Sequence, residues 1–134
     1  MYMLDTNILI YCMRHPESVC AKRLSEHIGK DVCISVVTYS ELEYGIENSN
    51  APARNREAVN KILAGIKILD FDMNAAVHFG RILAELKKKG MSSNTKDRNK
   101  MIAAHARSLG HIIVTNNTKD FANVDGLSIC DWIQ

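Results

Sequence analysis

Five short apolar runs, with helical patterns between them, constrain this chain more than any other feature. They are Tyr2-Met3-Leu4, Val32 to Val36, Lys67 to Phe71 with Ile68-Leu69 at its centre, His111 to Thr115, and a last run near Leu127 to Ile129. Three to five apolar residues bounded by polar turns fit buried strands better than helices. The intervening segments carry helical spacing. Ala75, Phe79, Ile82, Leu83 and Leu86 form the clearest stripe, ending in Lys87-Lys88-Lys89-Gly90. Val59, Ile62, Leu63 and Ile66 form another, and helices are expected over Ile8–Tyr11, Val19–Ile28, Thr38–Gly45 and from about Asp97 to Leu109. Short strands alternating with helices predict a parallel sheet covered on both faces, a three-layer α/β/α domain.

Composition adds bounds. At 134 residues the chain reads as one domain, 1–134, large enough for a core without staples. No apolar run approaches the roughly 18 residues that span a bilayer, and a secretory signal pattern is missing, so no membrane role and a cytoplasmic protein are expected. The net charge of +2 is too small to identify a nucleic-acid binder. Cys12, Cys20, Cys33 and Cys130 have no CxxC spacing, which argues against zinc, and Cys33 and Cys130 read as reduced core thiols.

The acidic residues fall at strand ends. Asp5 follows the first strand and precedes a helix that Thr6 or Asn7 can cap. Glu41 opens the helix after the second strand, and Asn116-Asn117 and Asp120 follow the strand at His111–Thr115. In a parallel sheet those ends share one edge, where ligands collect. Carboxylates gathered there raise one another's pKa unless a cation compensates. Hard oxygen ligands suit Mg²⁺ or Mn²⁺, which activates water for attack on a phosphodiester.

Met3-Leu4-Asp5-Thr6-Asn7, Thr38-Tyr39-Ser40-Glu41-Leu42 with Gly45, Met101-Ile102-Ala103-Ala104-His105-Ala106 and Ile113-Val114-Thr115-Asn116-Asn117 resemble the PIN-domain ribonucleases. More narrowly they resemble the VapC toxins of bacterial toxin–antitoxin pairs, in the family's order and down to Asp131-Trp132. The resemblance implies a PIN-like fold and a Mg²⁺-dependent endoribonuclease acting on structured RNA such as tRNA. It also implies a homodimer, and a cognate antitoxin of the VapB type whose tail fills the acidic site. Asp5 and Glu41 would be two acids of that site.

One departure stands out. The family places an aspartate three residues before the isoleucine of Ile102-Ala103-Ala104-His105, and here that residue is Asn99. An amide oxygen can touch a cation without adding charge, so a metal held by Asp5 and Asn99 should be held weakly. Asp97 is two residues away, a rotation of about 200° along a helix, and should face elsewhere. Asn99 is then either a substitution that cripples a toxic nuclease or the mark of a divergent member using Asp97 or water.

The expected catalytic set is therefore Asp5, Glu41, Asn99 and Asp120, with Thr6, Asn7, Thr115 and Asn117 supporting it. Glu43, two residues from Glu41, should be solvated, and His105 should be a core or supporting residue. Lys87, Lys88, Lys89, Lys96, Arg98, Lys100 and Arg107 are cations that could flank the acids and hold RNA phosphates. The alternative is a non-catalytic PIN domain that binds RNA or protein. A receiver-type or phosphatase-like domain is disfavoured, because Asp5-Thr6-Asn7 lacks the second acid of a D-x-D signature.

Overall fold

Strand β1 (Tyr2–Leu4) is the centre of a five-stranded, wholly parallel sheet of order β3-β2-β1-β4-β5. The computed structural model describes residues 1–133. From β1 the chain runs through α1 (Thr6–Arg14) and α2 (Val19–His27) to β2 (Val32–Ser35). Helices α3 (Val36–Glu47) and α4 (Pro52–Leu63) lead to the edge strand β3 (Lys67–Leu69). It then crosses by α5 (Met73–Lys88) and α6 (Arg98–Leu109) to β4 (Ile112–Val114), and by α7 (Thr118–Phe121) to β5 (Ser128–Cys130).

The period of two in the strands builds the three layers. Leu4, Val32, Ile34 and Val114 point into one core with Ile8, Leu9, Leu24, Leu42 and Trp132. Met3, Cys33 and Ile113 point into the other, against Ile82, Leu86, Ile102, Ala103, Ala106 and Phe121. All four cysteines are free thiols, and the buried Cys12 and Cys20 sulfurs lie 3.4 Å apart. No helix among the described residues is long and apolar enough to cross a membrane.

Several boundaries differ from the sequence reading. The cap of α1 is Asp5, whose Oδ1 accepts from the Ile8 amide, and not Thr6 or Asn7. Helix α3 starts at Val36, capped by Ser35, so the strand stops sooner and Glu41 lies well inside the helix. Ile66 follows α4 and is not part of it. Helix α6 behaves as read: Asp97 caps it through the Lys100 amide, and Gly110 ends it at φ 68°, a left-handed turn that a side chain would strain.

One buried group has no partner. The Thr38 hydroxyl in α3 lacks a hydrogen bond among the described residues, although Thr38 is fully buried. Valine has the same shape without the desolvated oxygen. Thr38→Val is expected to raise unfolding free energy by about 1 kcal/mol, read from urea denaturation midpoints.

Candidate active site

The strand order reverses direction of travel between β1 and β4, which opens a crevice at their carboxyl ends. Asp5 sits at its head, its backbone amide donating to Val114 O at 3.0 Å. A cleft of about 490 Å³ opens there, lined by Asp5, Thr6, Asn7, Glu41, Arg98 and Asn99, with Ile10, Ser40 and Tyr44 on its rim. The residue after β1 and residues of α1, α3 and α6 thus meet at one sheet edge.

Asp5 is only 3% exposed. Burial pushes its carboxyl above the usual range, and the nearby Glu41 charge adds to this, while the Thr115 hydroxyl and the Ile8 and Asn7 amides pull the other way. Thr6 Oγ1 donates to Glu41 Oε1 at 2.7 Å and so fixes that carboxylate across the cleft. Thr115 also accepts the Asn117 amide at 2.9 Å, tying the β4 end to the loop beyond it.

Asn99 joins the cleft to Asp120. Its Nδ2 donates to Asp120 Oδ2 at 2.9 Å, and Asn117 Nδ2 donates to the same oxygen at 2.6 Å. A carboxylate only accepts, so the Asn99 amide nitrogen must face it. The carbonyl oxygen is then the atom Asn99 can offer the cleft. Asp120 thus meets the cleft through Asn99.

Other expected residues have different partners. Glu43 is not merely solvated: Arg56 grips it with two hydrogen bonds of 3.0 and 2.6 Å, holding α4 to α3. Asp97 caps α6 and stays out of the cleft. Of the basic residues, Lys89 bonds Asp125, Lys100 bonds the Asp120 carbonyl, and Arg107 bonds Glu85 and the Asp125 carbonyl. Arg98 lines the cleft and makes no hydrogen bond or ion pair among the described residues. Tyr44 was not anticipated, although its i, i+3 spacing from Glu41 places it on the same helix face.

His105 is buried, its Nδ1 2.8 Å from Ser35 Oγ and its ring edge-on to Phe71. Burial lowers its pKa, only partly offset by Asp72 and by the Asp70 carbonyl and carboxylate. Since the folded value lies below the unfolded one, the unfolded chain binds the proton first. Stability should therefore be full above about pH 6.5 and decline as pH falls below it. Thermal melts from pH 7.5 to 5 should show this decline, shallower in a His105→Asn variant.

Metal ligation can be judged from these donors. Among the described residues no group of three or more His, Cys, Asp or Glu side chains is gathered to hold an ion. What the cleft offers is two carboxylates, Asp5 and Glu41, and one amide oxygen. Burial raises the Asp5 carboxyl and Glu41 adds to it, so a cation bound between the two would offset both effects. Two hard anionic donors and a roomy cleft fit a divalent ion that keeps most of its waters.

A PIN-domain model matches residues 2–127. The chain is 45% identical over 131 residues to the tRNA(fMet)-specific endonuclease VapC of Shigella flexneri, covering 98% of this chain and 97% of that one. It is 42% identical over 132 residues to ribonuclease VapC2 of Haemophilus influenzae, covering 98% of each. Among solved structures it is similar to the DNA-bound VapBC of Salmonella typhimurium, with a TM-score of 0.90, 39% identity and coverage of 98% and 97%. It is also similar to the promoter-bound VapBC2 of Rickettsia felis, with a TM-score of 0.89, 28% identity and 98% coverage of both chains. With near-complete coverage in each case, and a crevice at the carboxyl end of its central strand, the chain belongs to the PIN-domain family and, within it, to the VapC ribonucleases.

Proposed function

We propose that this chain is a toxin ribonuclease whose Mg²⁺-dependent cleavage of structured RNA is impaired by Asn99. The observation that carries the reading is the meeting of Asp5, Glu41 and Asn99 on one cleft, with Asn99 spending its amide on Asp120. Asp5 and Glu41 would hold the cation, with the Asn99 carbonyl oxygen as a neutral third donor. When bound, such an ion polarises a phosphoryl oxygen and lowers the pKa of a water. Thr6 keeps the Glu41 carboxylate facing the cleft, and the Thr115 hydroxyl favours the ionised form of Asp5. Arg98 stands free on the same wall to hold an RNA phosphate.

The relatives also support the partners. Solved VapBC complexes point to an antitoxin of the VapB type, and the Shigella relative, a tRNA(fMet)-specific endonuclease, makes transfer RNA the substrate to test first. A homodimer is part of the same proposal. Exposed Val77 and Met73 on α5 leave apolar surface for a second copy.

The test incubates purified protein with total transfer RNA in Mg²⁺ and in EDTA, beside calorimetry with Mg²⁺. Weak, EDTA-sensitive cleavage supports the reading, while vigorous cleavage that survives EDTA overturns it. The second reading, an RNA-binding domain without catalysis, has Arg98 in its favour: with Asn99 neutral, Asp5, Glu41 and Arg98 give the cleft a formal charge of −1, where an aspartate at 99 would make it −2. RNA binding in EDTA, lost in Arg98→Ala, together with no cleavage by either the native or the Asn99→Asp form, would favour it.

A further inference from the structure

We propose that the buried Ser35–His105 hydrogen bond is a clasp that sets the relative height of α3 and α6, making His105 a positioning residue for the nuclease cleft. The inference rests on the nuclease reading above. Glu41 stands six residues after Ser35, and Asn99 stands six residues before His105. Six residues are about 9 Å of helix. The clasp at one end and the cleft at the other therefore require α3 and α6 to run in opposite senses, with equal spans between the two.

The bond's direction follows from its neighbours. Ser35 Oγ accepts the Val37 amide at 3.1 Å, the capping bond that starts α3. Buried, the hydroxyl's own proton needs an acceptor, and the neighbouring ring nitrogen is the one within its reach. Nδ1 is thus the acceptor, and the Ser35 hydroxyl donates to it at 2.8 Å. One hydroxyl thus caps α3 and ties it to α6. Both residues are closed to solvent, at 0% and 2% exposure, so the pair has no access to substrate and is no nucleophile and base.

Packing alone would not hold this register. On α6 the small side chains Ala103, Ala104 and Ala106 are buried, beside Ile102, in the core that also holds Val37. Apolar contact is non-directional, and a smooth alanine face offers few ridges to resist sliding. A hydrogen bond weakens steeply with angle and distance. Within α3 the Thr38 hydroxyl makes no bond. Among the described residues, Ser35–His105 is the side-chain hydrogen bond that joins the start of α3 to α6.

Two amides separate positioning from mere packing. In His105→Asn, Oδ1 stands near the place of Nδ1 and can still accept from Ser35. In His105→Gln, the amide reaches past that point to the place of the distal nitrogen and cannot accept from Ser35. Each is made in the Asn99→Asp background with Ser35→Ala alongside, and folded protein is confirmed by thermal melts. Calorimetry with Mn²⁺ alone and steady-state cleavage of transfer RNA are then measured. Ser35→Ala and His105→Gln should each weaken Mn²⁺ binding by about tenfold. They should lower kcat by up to about 10²-fold with KM nearly unchanged. His105→Asn should rescue both, though all three lose some thermal stability. Equal Mn²⁺ affinity and kcat across the set overturn the clasp, as does an equal loss in all three. If the Asn99→Asp parent neither binds Mn²⁺ nor cleaves, the nuclease reading itself falls and takes the clasp's role with it.

Discussion

Asn99→Asp is expected to raise Mg²⁺-dependent RNA cleavage by about 10²–10³-fold, the usual worth of one well-placed electrostatic contact. The cleft would gain a third carboxylate where the amide now stands. Expression without an antitoxin should become toxic. The structure adds a consequence that charge and shape alone do not give. The Asn99 amide donates to Asp120, so an aspartate there loses the bond and sets two carboxylates at hydrogen-bond distance. Without metal the variant should lose about 1–2 kcal/mol of stability. Mg²⁺ should restore it, because binding to the folded state alone stabilises by mass action. Cleavage assays with Mg²⁺ and with EDTA, and melts under the same two conditions, check both halves. Equal EDTA-sensitive cleavage by the two forms would mean that another residue completes the site.

Asp5→Asn, made in that restored form, should separate activity from stability. The amide oxygen can still accept from the Ile8 amide, so the α1 cap survives. The buried charge disappears. Cleavage should fall by at least about 10²-fold, because a charge that holds the cation is gone. Metal-free stability at pH 7 should hold or rise. The sign follows from linkage: the Asp5 folded pKa is raised, so its contribution to stability is complete below the unfolded value near 3.8 and is lost as pH rises through the folded one. At neutral pH the ionised Asp5 therefore costs stability, and asparagine removes that cost. Urea denaturation at pH 4 and pH 7 should show a smaller pH difference in the variant. A variant both less active and markedly less stable at pH 7 would contradict this account.

Much of the layer architecture was legible because strand and helix periods differ so plainly. Met3 between Tyr2 and Leu4, and Cys33 between Val32 and Ile34, divide between the two cores as alternation requires. Helix starts were harder. Asp5, Thr6 and Asn7 can all cap, and only the three-dimensional path decides that Asp5 does so. Ser35 reads as a strand residue because Val36 and Val37 continue its apolar run, yet its hydroxyl ends the strand. Asp5 and Glu41 come together from distant stretches, as the strand-end argument expects, while Asn99 joins them at a position only the family resemblance pointed to. The same argument brings Asp120 to this edge, without showing that it meets the cleft through Asn99. Its position depends on two amides, one of them from a helix whose rotation the sequence does not give. Similarly, Lys100 and Arg107 look like free surface cations until the carbonyls that hold them are known.

The central place of β1 has a consequence for how the protein is made. Tyr2 pairs with Ile112, 110 positions later, and the Asp5 amide waits for the Val114 carbonyl. A chain leaving the ribosome at about 5–20 residues per second therefore carries its first acid for several seconds before the strand that seats it has been synthesised. During that interval the crevice between β1 and β4 does not exist, and Thr115 is not there to favour the ionised form of Asp5. Placing the first acid at the start of the chain and its supporting strand near the end makes the cleft a late product of translation. A nascent chain stopped before β4 is therefore expected to lack the cleft.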